Sequence, residues 1–146
     1  MSIKQLSIYL ENKPGKLAEA LRFIKEAGIN IRALSLADTS EFGILRLITS
    51  DLERAEELLS QQALVKSTDV IAVEVDDRSG GLLEILEVLN QANVNIDYMY
   101  AFTARVKSAY AVLRVDDCAL AEQYLHDSGI TTLKGKDLMN LLEKEE

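Results

Sequence analysis

Gly15-Lys16-Leu17-Ala18-Glu19-Ala20-Leu21 and Gly80-Gly81-Leu82-Leu83-Glu84-Ile85-Leu86 stand 65 residues apart, and laying one over the other decides the fold. Between 15 and 31 seven of seventeen positions are then identical: Gly15/Gly80, Leu17/Leu82, Glu19/Glu84, Leu21/Leu86, Ala27/Ala92, Asn30/Asn95 and Ile31/Ile96. Typical residue usage gives about one chance identity in such a window. With one residue inserted in the second copy, the register resumes as Ser50-Asp51 over Asp116-Asp117, Ala55-Glu56 over Ala121-Glu122 and Leu59 over Leu125. The 146-residue chain therefore reads as a tandem repeat, unit 1 over residues 1–69 and unit 2 over 70–146.

Each copy carries the same order of elements. Gln5–Leu10 alternates polar and apolar residues, as a half-buried strand does, and Val70–Val75 is its counterpart. Leu17, Ala20, Leu21 and Ile24 then form a helical stripe, repeated by Leu82, Ile85, Leu86 and Leu89. Gly28 and Asn93 end these helices by tolerating a left-handed backbone. Second strands are expected over 30–37 and 95–104, and third strands over 44–49 and 109–115. Ser50-Asp51 and Asp116-Asp117 are N-cap residues for second helices. Short closing strands fall near 64–67 and 130–133, and the tail from 136 to 144 has the spacing of one more helix. The order βαββαβ, twice, defines an α+β fold of two tandem ferredoxin-like units, each an antiparallel sheet with its helices on one face. A unit of this size with one bare sheet face is marginal alone, so the copies are expected to pack against each other.

Composition narrows the functions available. The formal net charge is −8, which repels phosphate backbones and anionic lipid, so neither nucleic acid nor a membrane surface is an expected partner. Through Asp69 nine basic residues face ten acidic ones; beyond it seven face fourteen, so the charge lies in the second half. No apolar run approaches the ~20 residues of a membrane span, and the start, Met1-Ser2-Ile3-Lys4-Gln5, lacks the apolar region of a secretory signal. Cys118, the single cysteine, excludes an intrachain disulfide. A cytoplasmic protein is expected. One cysteine and one histidine, His126, cannot build a His/Cys metal cluster or a catalytic triad. No cofactor, metal or catalytic residue is expected.

The chemistry falls instead on the first strand–helix loops, Glu11-Asn12-Lys13-Pro14-Gly15-Lys16-Leu17 and Asp76-Asp77-Arg78-Ser79-Gly80-Gly81-Leu82. Glycine lets the chain turn tightly onto a helix N-terminus, where free N–H groups and the helix dipole favour a carboxylate. Asn12 or Asp77 places a side-chain oxygen beside them, able to accept from an ammonium. The same residues also serve a purely structural turn in which Asn12 and Asp77 cap the helix. On the second strand of unit 2, Ile96, Tyr98, Tyr100 and Phe102 share one face at strand period; unit 1 has Ile31, Ala33, Ser35 and Ala37 there. Such an aromatic face serves a packed interface or a pocket wall.

These motifs resemble those of the ACT domain family: a strand ending in Asp or Asn, x-Pro-Gly-x-Leu opening a helix, then Gly-x-Asn-Ile at the second strand. Unit 1 has Asn12-Lys13-Pro14-Gly15-Lys16-Leu17 and Gly28-Ile29-Asn30-Ile31; unit 2 has Ser79 in place of the proline and Asn93 in place of the second glycine. The resemblance implies a regulatory module that binds an amino acid between ACT units. By position it nominates Asn12, Pro14, Gly15, Lys16, Leu17, Asn30 and Ile31 in unit 1. In unit 2 it nominates Asp77, Ser79, Gly80, Gly81, Leu82, Asn95 and Ile96, with Tyr98 added. It also implies a homodimer and a metabolic enzyme as partner. The competing reading is an interaction subunit of such an enzyme that binds no ligand.

Overall fold

The structure, a computed structural model, describes residues 3–38, 42–76, 78–105 and 108–134. The chain divides into two compact units, Lys4–Thr68, and Met1–Ile3 with Asp69–Glu146. The first runs through β1 (Ile3–Glu11), α1 (Lys16–Glu26), β2 (Ile31–Asp38), β3 (Phe42–Thr49) and α2 (Leu52–Ser60) into the start of β4 (Leu64–Val75). The second continues β4 and adds α3 (Gly81–Gln91), β5 (Ile96–Arg105), β6 (Ser108–Val115), α4 (Cys118–Asp127) and β7 (Thr132–Leu133). The strand order is β2-β3-β1 in the first unit and β5-β6-β4-β7 in the second, antiparallel at every pairing. The α+β ferredoxin-like architecture read from the repeat is the one observed.

The two cores are built from matched residues. In the first, Leu6 and Ile8 of β1 and Leu45 and Leu47 of β3 lie under Ala20, Ile24, Ala55 and Leu59 of the two helices. In the second, Ile71, Val73, Ala111 and Leu113 lie under Ile85, Leu89, Ala121 and Leu125. Both helices of each unit therefore cover the same sheet face. Burial of each large aliphatic side chain contributes about 1.5–3 kcal/mol, so these stripes dominate the stability of the fold.

Local chemistry fixes the element ends. Gly28 (φ 73°) and Asn93 (φ 56°) take the left-handed conformation after α1 and α3. There Ile29 N–H donates to the Ile24 carbonyl (3.2 Å) and Val94 N–H to the Leu89 carbonyl (3.0 Å), the six-residue closure of a Schellman motif. Asp51 and Asp117 cap α2 and α4, accepting from Arg54 N–H (3.2 Å) and Leu120 N–H (3.0 Å).

Four expectations are corrected. The closing strand of unit 1 and the opening strand of unit 2 are one twelve-residue strand, β4, because Ser67-Thr68-Asp69 contains neither glycine nor proline to turn the chain. Leu82 does not join the core stripe of α3: it is 38% exposed, and Gly81 occupies the buried position one turn before Ile85. The opening strands are not half-buried, since Gln5 and Ser7 are buried along with Leu6 and Ile8, and Val70 and Ala72 along with Ile71 and Val73. The closing strand of unit 2 is only the two residues of β7. The tail helix expected over 136–144 lies outside the described residues.

Candidate functional site

The two first loops are held by the same main-chain hydrogen bonds, 65 residues apart. Lys13 N–H donates to the Glu11 carbonyl, Lys16 N–H to that of Lys13, and Glu19 N–H to that of Gly15. Arg78 to Asp76, Gly81 to Arg78 and Glu84 to Gly80 repeat the set. Gly15 (φ 88°) and Gly80 (φ 85°) stand at the N-cap of α1 and α3 in the left-handed region, and as glycines they offer no side chain to cap the helix. The reading in which Asn12 caps its helix is thereby removed. Asn12, Pro14, Gly15, Ser79 and Gly80 are exposed, Leu17 packs partly on the core, and Asp77 lies outside the described residues. The start of α1 and the exposed Asn12 thus lie on the same loop, the first a source of amide donors and the second of a side-chain acceptor.

Asn30 and Asn95 do something different from what the motif alone conveys. Asn30 N–H donates to Ser50 Oγ (3.0 Å) while its carbonyl accepts from Ser50 N–H (2.9 Å). Asn95 and Asp116 repeat this clamp, with N–H to Oδ1 at 3.0 Å and the return bond at 3.2 Å. Ser50 and Asp116 were expected at helix caps; they fasten the entry of the second strand to the exit of the third instead. The exposed Asn95 side chain donates to Asp97 Oδ1 (2.9 Å).

The shared face expected for Ile96, Tyr98, Tyr100 and Phe102 is also corrected. A bulge between Ile96 and Tyr98 shifts the register, as one does between Ile31 and Ala33. An extra residue reverses the alternation. Ile96 and Ile31 consequently pack on the helix-covered cores, whereas Tyr98, Tyr100 and Phe102 stand opposite Arg114, Val112 and Tyr110 on the other face. Phe102 stacks on the buried Tyr110, with ring centroids 5.4 Å apart. Tyr98 thus stands on the sheet face that the helices do not cover.

Lys13, Glu19, Arg78 and Glu84 were not among the nominated residues, although the pairs Lys13/Arg78 and Glu19/Glu84 in the aligned copies signal them. Lys13 pairs with Glu11 at 3.0 Å and holds that carboxyl below the usual range through its hydrogen bond and its charge. Lys16 lies 3.9 Å from Glu19. In unit 2 one residue does both jobs: Arg78 pairs with Glu84 and with Asp76 (3.5 Å), which raises its pKa, Glu84 foremost. Behind each loop lies a pocket at the same place in the repeat. Ile8, Leu10, Lys16, Phe23 and Leu59 line the first; Glu74, Asp76, Gly81, Glu84 and Thr131 line the second.

Cys118 is half-buried at the start of α4, and its thiol is pushed up, chiefly by burial and then by Asp69 and Glu122, against the lowering effect of Arg114. His126 is exposed late on α4. Among the described residues no group of three or more His, Cys, Asp or Glu could hold a metal ion, and no helix is long and apolar enough to cross a membrane.

Two ferredoxin-like units in one chain, each opening its first helix on a left-handed glycine, define a paired small-domain protein. The profile of the ACT domain pair matches residues 1–142, and the chain belongs to that family. The solved structure of protein BT0572 from Bacteroides thetaiotaomicron is similar, with TM-score 0.88 and 35% identity over 94% of this chain and 96% of that one. The ligand-free regulatory subunit of aspartate kinase from Thermus thermophilus shares the fold, with TM-score 0.64 and 13% identity over 87% and 93% of the two chains. The regulatory subunit of aspartate kinase from Thermus flavus does so too, at 0.63 and 14% over 87% and 92%. No curated protein matches.

Proposed function

We propose that this chain is a non-catalytic, cytoplasmic regulatory module that binds an amino acid at its loop–helix junctions and transmits the binding to a metabolic enzyme. The observation that carries the reading is the pair of loops with the same main-chain hydrogen bonds. Each opens its helix on a left-handed glycine, a geometry suited to a carboxylate. The regulatory subunits of aspartate kinase that share this fold support it at the level of protein class. Asn12, Pro14, Gly15, Lys16 and Leu17 form the first site, with Asn30 and Ile31 fixing the strand that follows. Asp77, Ser79, Gly80, Gly81 and Leu82 form the second, with Asn95 and Ile96 in the same supporting place and Tyr98 further along the strand that Ile96 begins.

The test is a thermal-shift screen of the purified chain against the twenty amino acids at millimolar concentration. A ligand that binds the native state at a hundred times its Kd adds about 2.7 kcal/mol and raises the melting temperature. Gly15→Val should abolish that shift for the first site while leaving the protein folded. No shift with any amino acid would favour the second reading, an interaction subunit without a ligand. Its support is the apolar surface of the second unit's helices, where Leu83 is 56% exposed and Leu120 and Tyr124 nearly 40%.

A further inference from the structure

The helices of the two units present different surfaces, although they cover matched sheets. Among the described residues four large apolar side chains stand exposed on helices, Leu82, Leu83, Leu120 and Tyr124, and all four belong to α3 and α4. Helices α1 and α2 expose none. In the aligned copies Leu83 takes the place of Ala18, and Leu120 that of Arg54. The charge changes with them. α1 and α2 hold four basic residues, Lys16, Arg22, Lys25 and Arg54, among five acidic ones. α3 and α4 hold four carboxylates and no lysine or arginine, Glu87 replacing Arg22 and Asn90 replacing Lys25. Arg78 answers one of those carboxylates, Glu84, from the loop, which leaves the layer negative.

On α3, Leu83 and Glu87 are one turn apart; on α4, Leu120, Tyr124 and Asp127 follow at i, i+4 and i+7 along one edge. The two helices pack against each other, so these residues belong to one layer. Exposed apolar side chains set among polar ones mark a surface that another molecule covers, and the charge selects which. The same layer of a second copy would bring carboxylates against carboxylates, since a two-fold contact matches a patch with itself. Nucleic acid and anionic lipid are repelled for the same reason. A helix is the element that fits the ridges and grooves of two packed helices. We propose that the α3–α4 layer docks a basic amphipathic helix of a partner protein, with its apolar stripe on Leu83, Leu120 and Tyr124 and its lysines or arginines toward Glu87 and Asp127. The proposal rests on the reading of this chain as a subunit that acts on another protein, and it names the face and the chemistry of that contact.

The experiment is a fluorescence-anisotropy titration of the full chain, without any amino acid, into a labelled peptide of leucine and lysine. The peptide is about 18 residues long, five helical turns, with its leucines on one face. One control peptide has glutamate in place of lysine, and another has the same residues in an order that breaks the apolar face. The chain should bind the first peptide, more weakly as salt rises, and neither control comparably. Leu83→Lys and Leu120→Arg should each weaken binding about tenfold. Leu64→Lys adds the same charge at an exposed leucine of β4 and should leave binding nearly unchanged. Circular dichroism should show every variant folded, since all three leucines are at least 38% exposed. No binding by the wild type, equal binding of the reordered peptide, or equal losses in all three variants overturns the proposal. None of these outcomes depends on the amino-acid screen, whose failure would remove the ligand and leave the docking surface standing.

Discussion

Position 16 in the first loop is lysine and position 81 in the second is glycine, although the backbones around them make the same hydrogen bonds. A Cβ at Gly81 would meet the Asp76 carbonyl oxygen at 2.3 Å, so the second loop has closed onto the start of its helix. In the first, a full side chain occupies the place and lines the pocket behind. The first pocket is walled largely by aliphatic and aromatic carbon with one carboxylate, Glu19, whereas the second has three, Glu74, Asp76 and Glu84, beside Ile85 and Ile130. Main-chain geometry has been kept while side-chain chemistry has diverged. Two such sites, if both bind, will not prefer the same ligand.

Exchanging the two residues tests this contrast most severely. Gly81→Lys should cost about 3 kcal/mol, because backbone rather than a flexible side chain must move. Lys16→Gly should cost only about 1 kcal/mol, the usual penalty of glycine near a helix start. Urea denaturation measures both, and equal losses would mean that the loops are closed to the same degree. The N-cap glycines should behave alike instead. Gly15→Ala and Gly80→Ala meet open space but hold φ near +85°, so each should lose about 1–2 kcal/mol. A difference between them beyond about 0.5 kcal/mol would break the equivalence of the turns.

The smallest effect has the opposite sign. Thr49 is 3% exposed and its hydroxyl finds no partner among the described residues, whereas the matched residue in unit 2 is the buried Val115. Thr49→Val should raise stability by about 1 kcal/mol by removing an unsatisfied polar group. A loss would mean that the hydroxyl is needed where it is.

The elements legible in the sequence were those governed by local chemistry. Gly28 and Asn93 end their helices, Asp51 and Asp117 start theirs, and the buried helix stripes centre on Ile24 and Leu89. Tertiary pairing hid the rest. A strict period of two placed Ile96 with Tyr98, but a bulge consumes one residue and turns Ile96 to the core. The clue was present in the irregular spacing of Ile31, Leu34 and Leu36, which no unbroken strand puts on one face. Leu82 matched its repeat partner Leu17 in type yet stands exposed, because Gly81 takes the buried position and identity between copies does not carry burial with it. Of the site, the glycine turns were read correctly. The reciprocal bonds of Asn30 with Ser50 and of Asn95 with Asp116 join positions 20 and 21 residues apart and lie beyond any local pattern.

Those reciprocal bonds bear on how the chain tolerates change in length. Asn30 and Asn95 are 65 residues apart, whereas Ser50 and Asp116 are 66 apart, so the extra residue of the second copy fell between the two ends of the fastening. The fastening is unaltered: two bonds close the base of the segment in both copies. Whatever is spliced between strands two and three hangs from a base that is already tied, and the entropy of a longer loop rises only slowly with its length. A longer insertion there would nevertheless stand beside the first strand–helix loop of its own unit, because Glu11 pairs with Phe42 and Val75 with Ala109, so length added at that point is felt at the loops and not at the fastening.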